Sequence, residues 1–197
     1  MHRTTSAPIL TLVSSPDWKD YELIDSGNGK KFERFGPYRF VRPEPQALWH
    51  PSLPKSEWDK ADGVFTETAR ESEGGKWVFH KSIEPEWNMH YNSLTFSVHP
   101  TPFRHMGVFP EQAPHWDWMN QLIKKSNRPV RVLNLFGYTA IASLAAASAG
   151  ATVSHVDASK KAVTWARKNQ KLSKLDDKPI RWILDDAVKF VQREIRR

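Results

Sequence analysis

The chain has 197 residues, 39% of them hydrophobic and 26% charged, the balance of a globular protein rather than a disordered one. It contains no cysteine, which excludes disulfide frameworks and thiolate metal sites and suits a reducing cytoplasm, and no apolar run is long enough to span a membrane. The net charge of +7 lies at one end, where twelve Lys or Arg face five Asp or Glu between Ala158 and Arg197; this suggests an anionic partner such as RNA, or else a solvated helix face carrying Lys160, Lys161, Arg167, Lys168 and Lys171.

The opening "MHRTTSAPILTLVSS" lacks the long apolar region of a secretory signal, so residues 1–16 read as a loose lead-in. "YELIDSGNGKKFERFGPYRFVR" predicts two or three short strands, with turns at Gly27-Asn28-Gly29 and at Gly36-Pro37. "KWVFHKSI" and "SLTFSVH" alternate apolar and polar residues and predict two more strands. "PEQAPHWDWMNQLIKK" predicts a helix with Trp118, Leu122 and His115 along one face.

The composition changes near residue 126, with seven of the nine tryptophans and most of the prolines before it. Trp49, Trp58, Trp77, Trp87, Trp116 and Trp118 are expected to fill the core of a small β domain, with stacking on bases as the alternative. Beyond residue 126 strand and helix alternate. "VRVLNLF" predicts a buried strand, and "TAIASLAAASAG" a helix stopped by Gly150. "ATVSHV" is a second strand, "SKKAVTWARKNQKL" a helix with Ser159 as N-cap, "IRWIL" a third strand and "DAVKFVQREIRR" a last helix. Such alternation implies a parallel sheet with strand order 3-2-1, half of a doubly wound fold. The fold class is therefore α/β: a β-rich N-terminal domain over 17–108, then three parallel strands with helices over 109–197, reached through a connecting helix at about 112–125.

In such a sheet ligands sit beyond the carboxyl ends of the strands. Gly137 falls where the first strand turns into its helix, and there serves either a close backbone approach to a ligand or simply the turn. Asp157 ends the second strand, placed to accept from a ribose diol or to cap the following helix. Asp185 and Asp186 end the third, placed to accept from an adenine amino group or to cap the last helix. The three tips together point to a nucleoside site. Only one glycine occurs in Phe136-Gly137-Tyr138-Thr139-Ala140-Ile141, so G-x-G-x-x-G is absent, as is a P-loop lysine motif. Pyrophosphate is poorly served, which weighs against a nucleotide-dependent dehydrogenase; a nucleoside with an amino-acid tail fits better.

"VLNLFGYTAIASLAAASAGATVSHVDASKKAVTWARKNQKL" resembles the cofactor half of class I S-adenosylmethionine-dependent methyltransferases, in the branch of the bacterial 23S ribosomal RNA enzymes, where N-x-F-x-Y-T-G opens the site. "FRHMGVFPEQAPHW" resembles the segment before the Rossmann-like domain in that branch. The resemblance implies S-adenosylmethionine as cofactor, with Asn134, Phe136, Gly137, Tyr138 and Thr139 on its methionine and ribose side. It implies Asp157 on the ribose hydroxyls, Asp186 at the adenine, and Gln112, with Phe103 and Arg104, closing over the cofactor. Ala140 stands where the family often has glycine. The resemblance also implies RNA as substrate; a non-catalytic nucleic-acid or ribosome-binding protein derived from such an enzyme is the alternative.

The family's (D/N)-P-P-(F/Y) signature, which would place the target atom, does not occur, so no catalytic residue is assigned and the chain is expected to be a fragment or truncated product of a longer protein. No H-E-x-x-H or H-x-x-E-H pairing occurs among the histidines, so no metal site is expected. No G-x-S-x-G nucleophile elbow occurs either.

Overall fold

The computed structural model describes residues 12–14, 18–67 and 74–196; most of the lead-in expected over 1–16 lies outside them. Strands β1 (Tyr21–Gly27), β2 (Lys30–Phe35), β3 (Tyr38–Pro43), β4 (Gly63–Glu67) and β5 (Gly75–Phe79) form one sheet in sequence order. Asn28 and Gly29 at φ 49° and 72° make the first turn, and Gly36 at φ 60° the second. β3 and β4 run parallel, so the chain crosses between them through the one-turn helix α1 (Lys55–Trp58).

The two faces of this sheet differ. Phe32, Val41 and Val64 sit side by side on one face, with Trp58 packed near them. Phe35 and Phe40 point the other way, into the main core. On that inner side lies a buried ion pair: Arg42 donates from Nε and Nη2 to Glu33 at 2.8 and 2.9 Å, and Tyr21 donates to the same carboxylate at 2.9 Å.

Strands β6 (Trp87–Tyr91) and β7 (Leu94–Val98) form a separate hairpin, turned at Asn92 with φ 49°. A 3-10 turn at Pro110–Gln112 leads into helix α2 (Ala113–Lys125). The α/β part follows as β8 (Arg131–Leu135), α3 (Ile141–Ser148), β9 (Thr152–Asp157), α4 (Lys160–Leu172), β10 (Ile180–Leu184) and α5 (Ala187–Ile195). Its parallel strands lie in the order β10-β9-β8, the expected 3-2-1 arrangement. Ser159 caps α4 by accepting from the Ala162 N–H, and Asp186 caps α5 by accepting from the Lys189 N–H.

One hydrophobic cluster runs through the molecule, joining Trp18, Phe40, Tyr91 and Phe96 to Trp116 of α2 and to Ile141 and Leu144 of α3. Ala145, Ala146 and Ala147 of α3 are buried, and their small side chains let the helix approach β7, β8 and β9 closely.

Three expectations are corrected. Helix α2 buries Trp116 and Ile123, whereas Trp118 and Leu122 are 60% and 51% exposed. Both pairs have helical spacing, and only the aromatic cage of Trp18 and Tyr91 around Trp116 selects between them. Strand β8 is not buried: it lies at the edge of its sheet, and Leu133 is half exposed on the face where Ser154 and Arg181 are its register neighbours. Of the tryptophans expected in the core, Trp49 and Trp118 are largely exposed.

Candidate nucleoside site at the strand tips

The register sets Asn134, His155 and Trp182 side by side on the helix-covered face of the α/β sheet, one step from its carboxyl edge. The polar groups of Asn134 and His155 turn inward, and the Trp182 ring packs on His155 with centroids 4.8 Å apart. Asn134 donates to the Ser143 hydroxyl at 2.8 Å, and that hydroxyl shares a hydrogen bond with His155 Nδ1 at 2.9 Å. His155 is fully buried, and its Nε2 has no hydrogen-bond partner among the described residues. Burial drives its pKa down to about 4 despite Asp157 nearby, so the ring is neutral at pH 7.

Above this ring runs the strap Phe136–Ala140. Phe136, Tyr138 and Ala140 adopt left-handed conformations at φ 55°, 51° and 72°. Each costs roughly 1–2 kcal/mol for a residue with a Cβ, so the surroundings must hold the strap in place. The Gly137 N–H donates to the Val156 carbonyl at 3.0 Å and the Tyr138 N–H to Asp157 Oδ2 at 2.8 Å. Thr139, itself buried, donates from Oγ1 to the Gly107 carbonyl at 2.6 Å, and Asn169 of α4 donates to the Thr139 carbonyl at 3.0 Å. The need for glycine at 137 comes from beneath: a Cβ there would lie 2.3 Å from Cε1 of His155.

Asp157 joins the strap to the turn after β9, since its other oxygen accepts from the Ser159 N–H at 2.8 Å. A carboxylate offers about four acceptor positions, and these two bonds leave capacity for ligand hydroxyls. Beside it, the Tyr138 hydroxyl is raised to about 12 by burial and then by the Asp157 charge, so it remains a donor. Phe136 is 73% exposed at the edge. At the third tip, Asp186 spends Oδ1 on its capping bond. Asp185 pairs with Arg193, whose hydrogen bond holds its carboxyl below the ordinary range.

Gly137, Tyr138, Thr139 and Asp157 are therefore tied together at the strap, Asn134 belongs to the Ser143–His155 chain beneath Gly137, Phe136 stands on the rim, and Asp186 lies two strands away. Phe103, Arg104 and Gln112 make their contacts elsewhere. Phe103 and Arg104 line a small cavity with Phe65, Glu67 and His105, where Arg104 pairs with Glu67 at 3.1 Å. Gln112 shares a hydrogen bond with His115 at 3.1 Å. The segment between them reaches the strap through Gly107 and through Phe109, whose ring centroid lies 5.5 Å from that of Tyr138. Gly107 has φ 89°, and a Cβ there would strike the Trp165 ring at 2.3 Å. Ser143, His155, Trp165 and Asn169 escaped the sequence reading; a lone serine in an alanine helix and a histidine in an apolar strand were its only signals.

No family model matches the chain. In the crystal structure of an S-adenosylmethionine-dependent methyltransferase from Agrobacterium tumefaciens, the matched part is 48% identical, with a TM-score of 0.88. The match covers all of this chain and 63% of that one. Over the matched residues the chain has the fold of that S-adenosylmethionine-dependent methyltransferase. Among curated relatives, the ribosomal RNA large subunit methyltransferase K/L of Pseudomonas fluorescens (strain Pf0-1) is 34% identical over 122 residues, 61% of this chain. Its counterpart in Magnetococcus marinus is 38% identical over 81 residues, 41% of this chain. The chain spans only 16% and 11% of the length of those two relatives.

Proposed function

We propose that the protein is an S-adenosylmethionine-dependent methyltransferase of the cytoplasm that acts on RNA. The observation that carries the reading is Asp157, which stands at the tip of β9, pins the Tyr138 and Ser159 N–H groups and keeps acceptor capacity to spare. Gly137, Tyr138 and Thr139 would line the methionine and ribose side with Asn134 and Phe136, and Asp157 would accept from the ribose hydroxyls. Asp186 would face the adenine, and Phe103, Arg104 and Gln112 would close over the cofactor from the preceding segment.

The residues suit such a ligand, because the first turn carries a single glycine and no lysine, which leaves a pyrophosphate without a cradle. Bound, the cofactor supplies an electrophilic methyl group on a sulfonium. The chain's part is to hold the ribose on Asp157, keep the Tyr138 hydroxyl protonated and fix the strap, so that rate comes from positioning. The β-rich residues 17–108 would present substrate to the cofactor unit over 109–197.

RNA as substrate is supported by α4, which contains no acidic residue and exposes Lys160, Arg167 and Lys171. The curated relatives are ribosomal RNA methyltransferases by name. Calorimetric titration with S-adenosylmethionine and with NAD tests the cofactor. Micromolar S-adenosylmethionine binding, weakened at least tenfold in Asp157→Asn and absent for NAD, is the expected result. A folded protein that binds neither, or prefers NAD, refutes the assignment. Transfer of labelled methyl to ribosomal RNA tests the substrate.

A further inference from the structure

A cavity of about 510 Å³ opens on the face of the five-stranded sheet that looks away from the main core. Its apolar lining comes from Val41, Pro51, Leu53, Val64 and Trp58, and Asn28 and Lys30 stand among its polar residues. The volume lies within the range of small-ligand sites.

Two indoles mark this region, and both are pinned by their N–H groups to consecutive residues of β1. Trp58 donates to the buried Asp25 carboxylate at 3.0 Å, and Trp49 donates to the Ser26 carbonyl at 2.9 Å. Asp25 also accepts from the backbone N–H groups of Ser52 and Leu53, so it fixes the cavity's loop and Trp58 together. Trp49 adjoins the rim, because its carbonyl accepts from the Asn28 N–H at 2.8 Å. Trp58 packs against Phe32 at a centroid distance of 5.5 Å and lines the cavity with the rest of its ring, so with its N–H spent it meets a partner through apolar ring surface, as stacking on a planar base requires.

Charge narrows the partner further. Asp59, the one acidic residue in the lining, is neutralised by Lys55 at 2.7 Å. Lys30 is exposed and has no ion-pair partner among the described residues, and the side-chain amide of exposed Asn28 makes no hydrogen bond there. The rim therefore presents an unspent cation and an unspent amide beside pinned indoles.

We propose that this cavity holds one unpaired nucleotide of an RNA strand, the base against Trp58, its edge read by Asn28 and its phosphate on Lys30. The proposal rests on the reading of RNA as substrate. The pocket faces away from the core that carries the strap, so it binds a nucleotide other than the one modified. It is an anchor, where contacts to a non-reacting part of the substrate supply binding.

The test is fluorescence anisotropy of a labelled single-stranded oligouridylate with the 197-residue chain, Lys30→Glu and Val64→Phe, which fills the pocket from its wall. Each variant is expected to weaken RNA binding roughly tenfold, the scale of one base or phosphate contact, while S-adenosylmethionine titration is unchanged. An oligouridylate carrying 4-thiouridine should cross-link on irradiation to a peptide containing Trp58. RNA binding indifferent to both substitutions, or a cross-link elsewhere, overturns the anchor and leaves the methyltransferase reading standing. Uridine monophosphate competing as well as the oligonucleotide assigns the pocket to a free nucleotide and also overturns it. No RNA binding by the unaltered chain overturns the anchor together with the RNA substrate, and the S-adenosylmethionine titration then reports separately on the cofactor site.

Discussion

The imidazole of His155 occupies the space that any side chain at residue 137 would need: an added Cβ would stand 2.3 and 2.4 Å from its Cε1 and Nδ1. Gly137→Ala should therefore destabilise the protein by about 1–3 kcal/mol, the usual cost of overpacking a tight interior. It should also weaken S-adenosylmethionine binding. Combining it with His155→Ala should recover part of the loss, since the second change removes the obstruction. Thermal denaturation of the two single variants and the double variant reads the coupling directly.

His155 also makes stability depend on pH. Its folded pKa of about 4 lies below the ordinary value of 6.5, so between those values the unfolded chain binds more protons than the native one. The contribution is complete above pH 6.5 and is lost as pH falls toward 4, on the order of 3 kcal/mol in all. Urea titrations across that range should show less slope in His155→Phe than in the unaltered protein. Equal slopes would mean that the ring titrates normally.

Asn169 is fully buried and links three elements: its Oδ1 accepts from the Ser97 N–H at 3.0 Å and its Nδ2 donates to the Thr139 carbonyl. Asn169→Leu leaves a buried donor on β7 and a buried acceptor on the strap, which should cost about 2–4 kcal/mol. Asn169→Asp keeps the acceptor for Ser97 but buries an unpaired carboxylate against the Thr139 carbonyl, and should cost at least as much. Hydrogen exchange at the Tyr138 and Thr139 amides should quicken in both variants.

Much of this architecture could be read from the residues, because its strongest signals are local. The glycine turns at 27–29 and 36, the αβ alternation after residue 126 and the Ser159 cap each rest on a few adjacent residues. Strands β4 and β6 went unread, since "GVFTE" and "WNMHY" become strands only through partners that sequence does not name. At the site, the break of "NLFGYTA" at Gly137 marked the strap. The reason for the glycine lay 18 residues downstream in His155, and parity along β8, which turns Asn134 inward and leaves Leu133 open, emerges only once the register is known.

The Arg42–Glu33 pair gives a prediction about the β-rich half. Both side chains are buried, at 5% and 0% exposure. Removing one partner leaves an unanswered charge, so Glu33→Ala should cost about 3–5 kcal/mol. Replacing both residues with methionine should cost less than that single change, because neither charge then needs a partner. Chemical denaturation separates the two outcomes.

The ring contacts of Trp18 with Tyr91 at 4.8 Å and Trp116 at 6.0 Å set the order in which the molecule can assemble. Trp18 leaves the ribosome about a hundred residues before Trp116, so its enclosure is complete only when α2 has been made. The early hairpins must wait with their aromatic faces uncovered, which makes folding slow and exposes the nascent chain to aggregation.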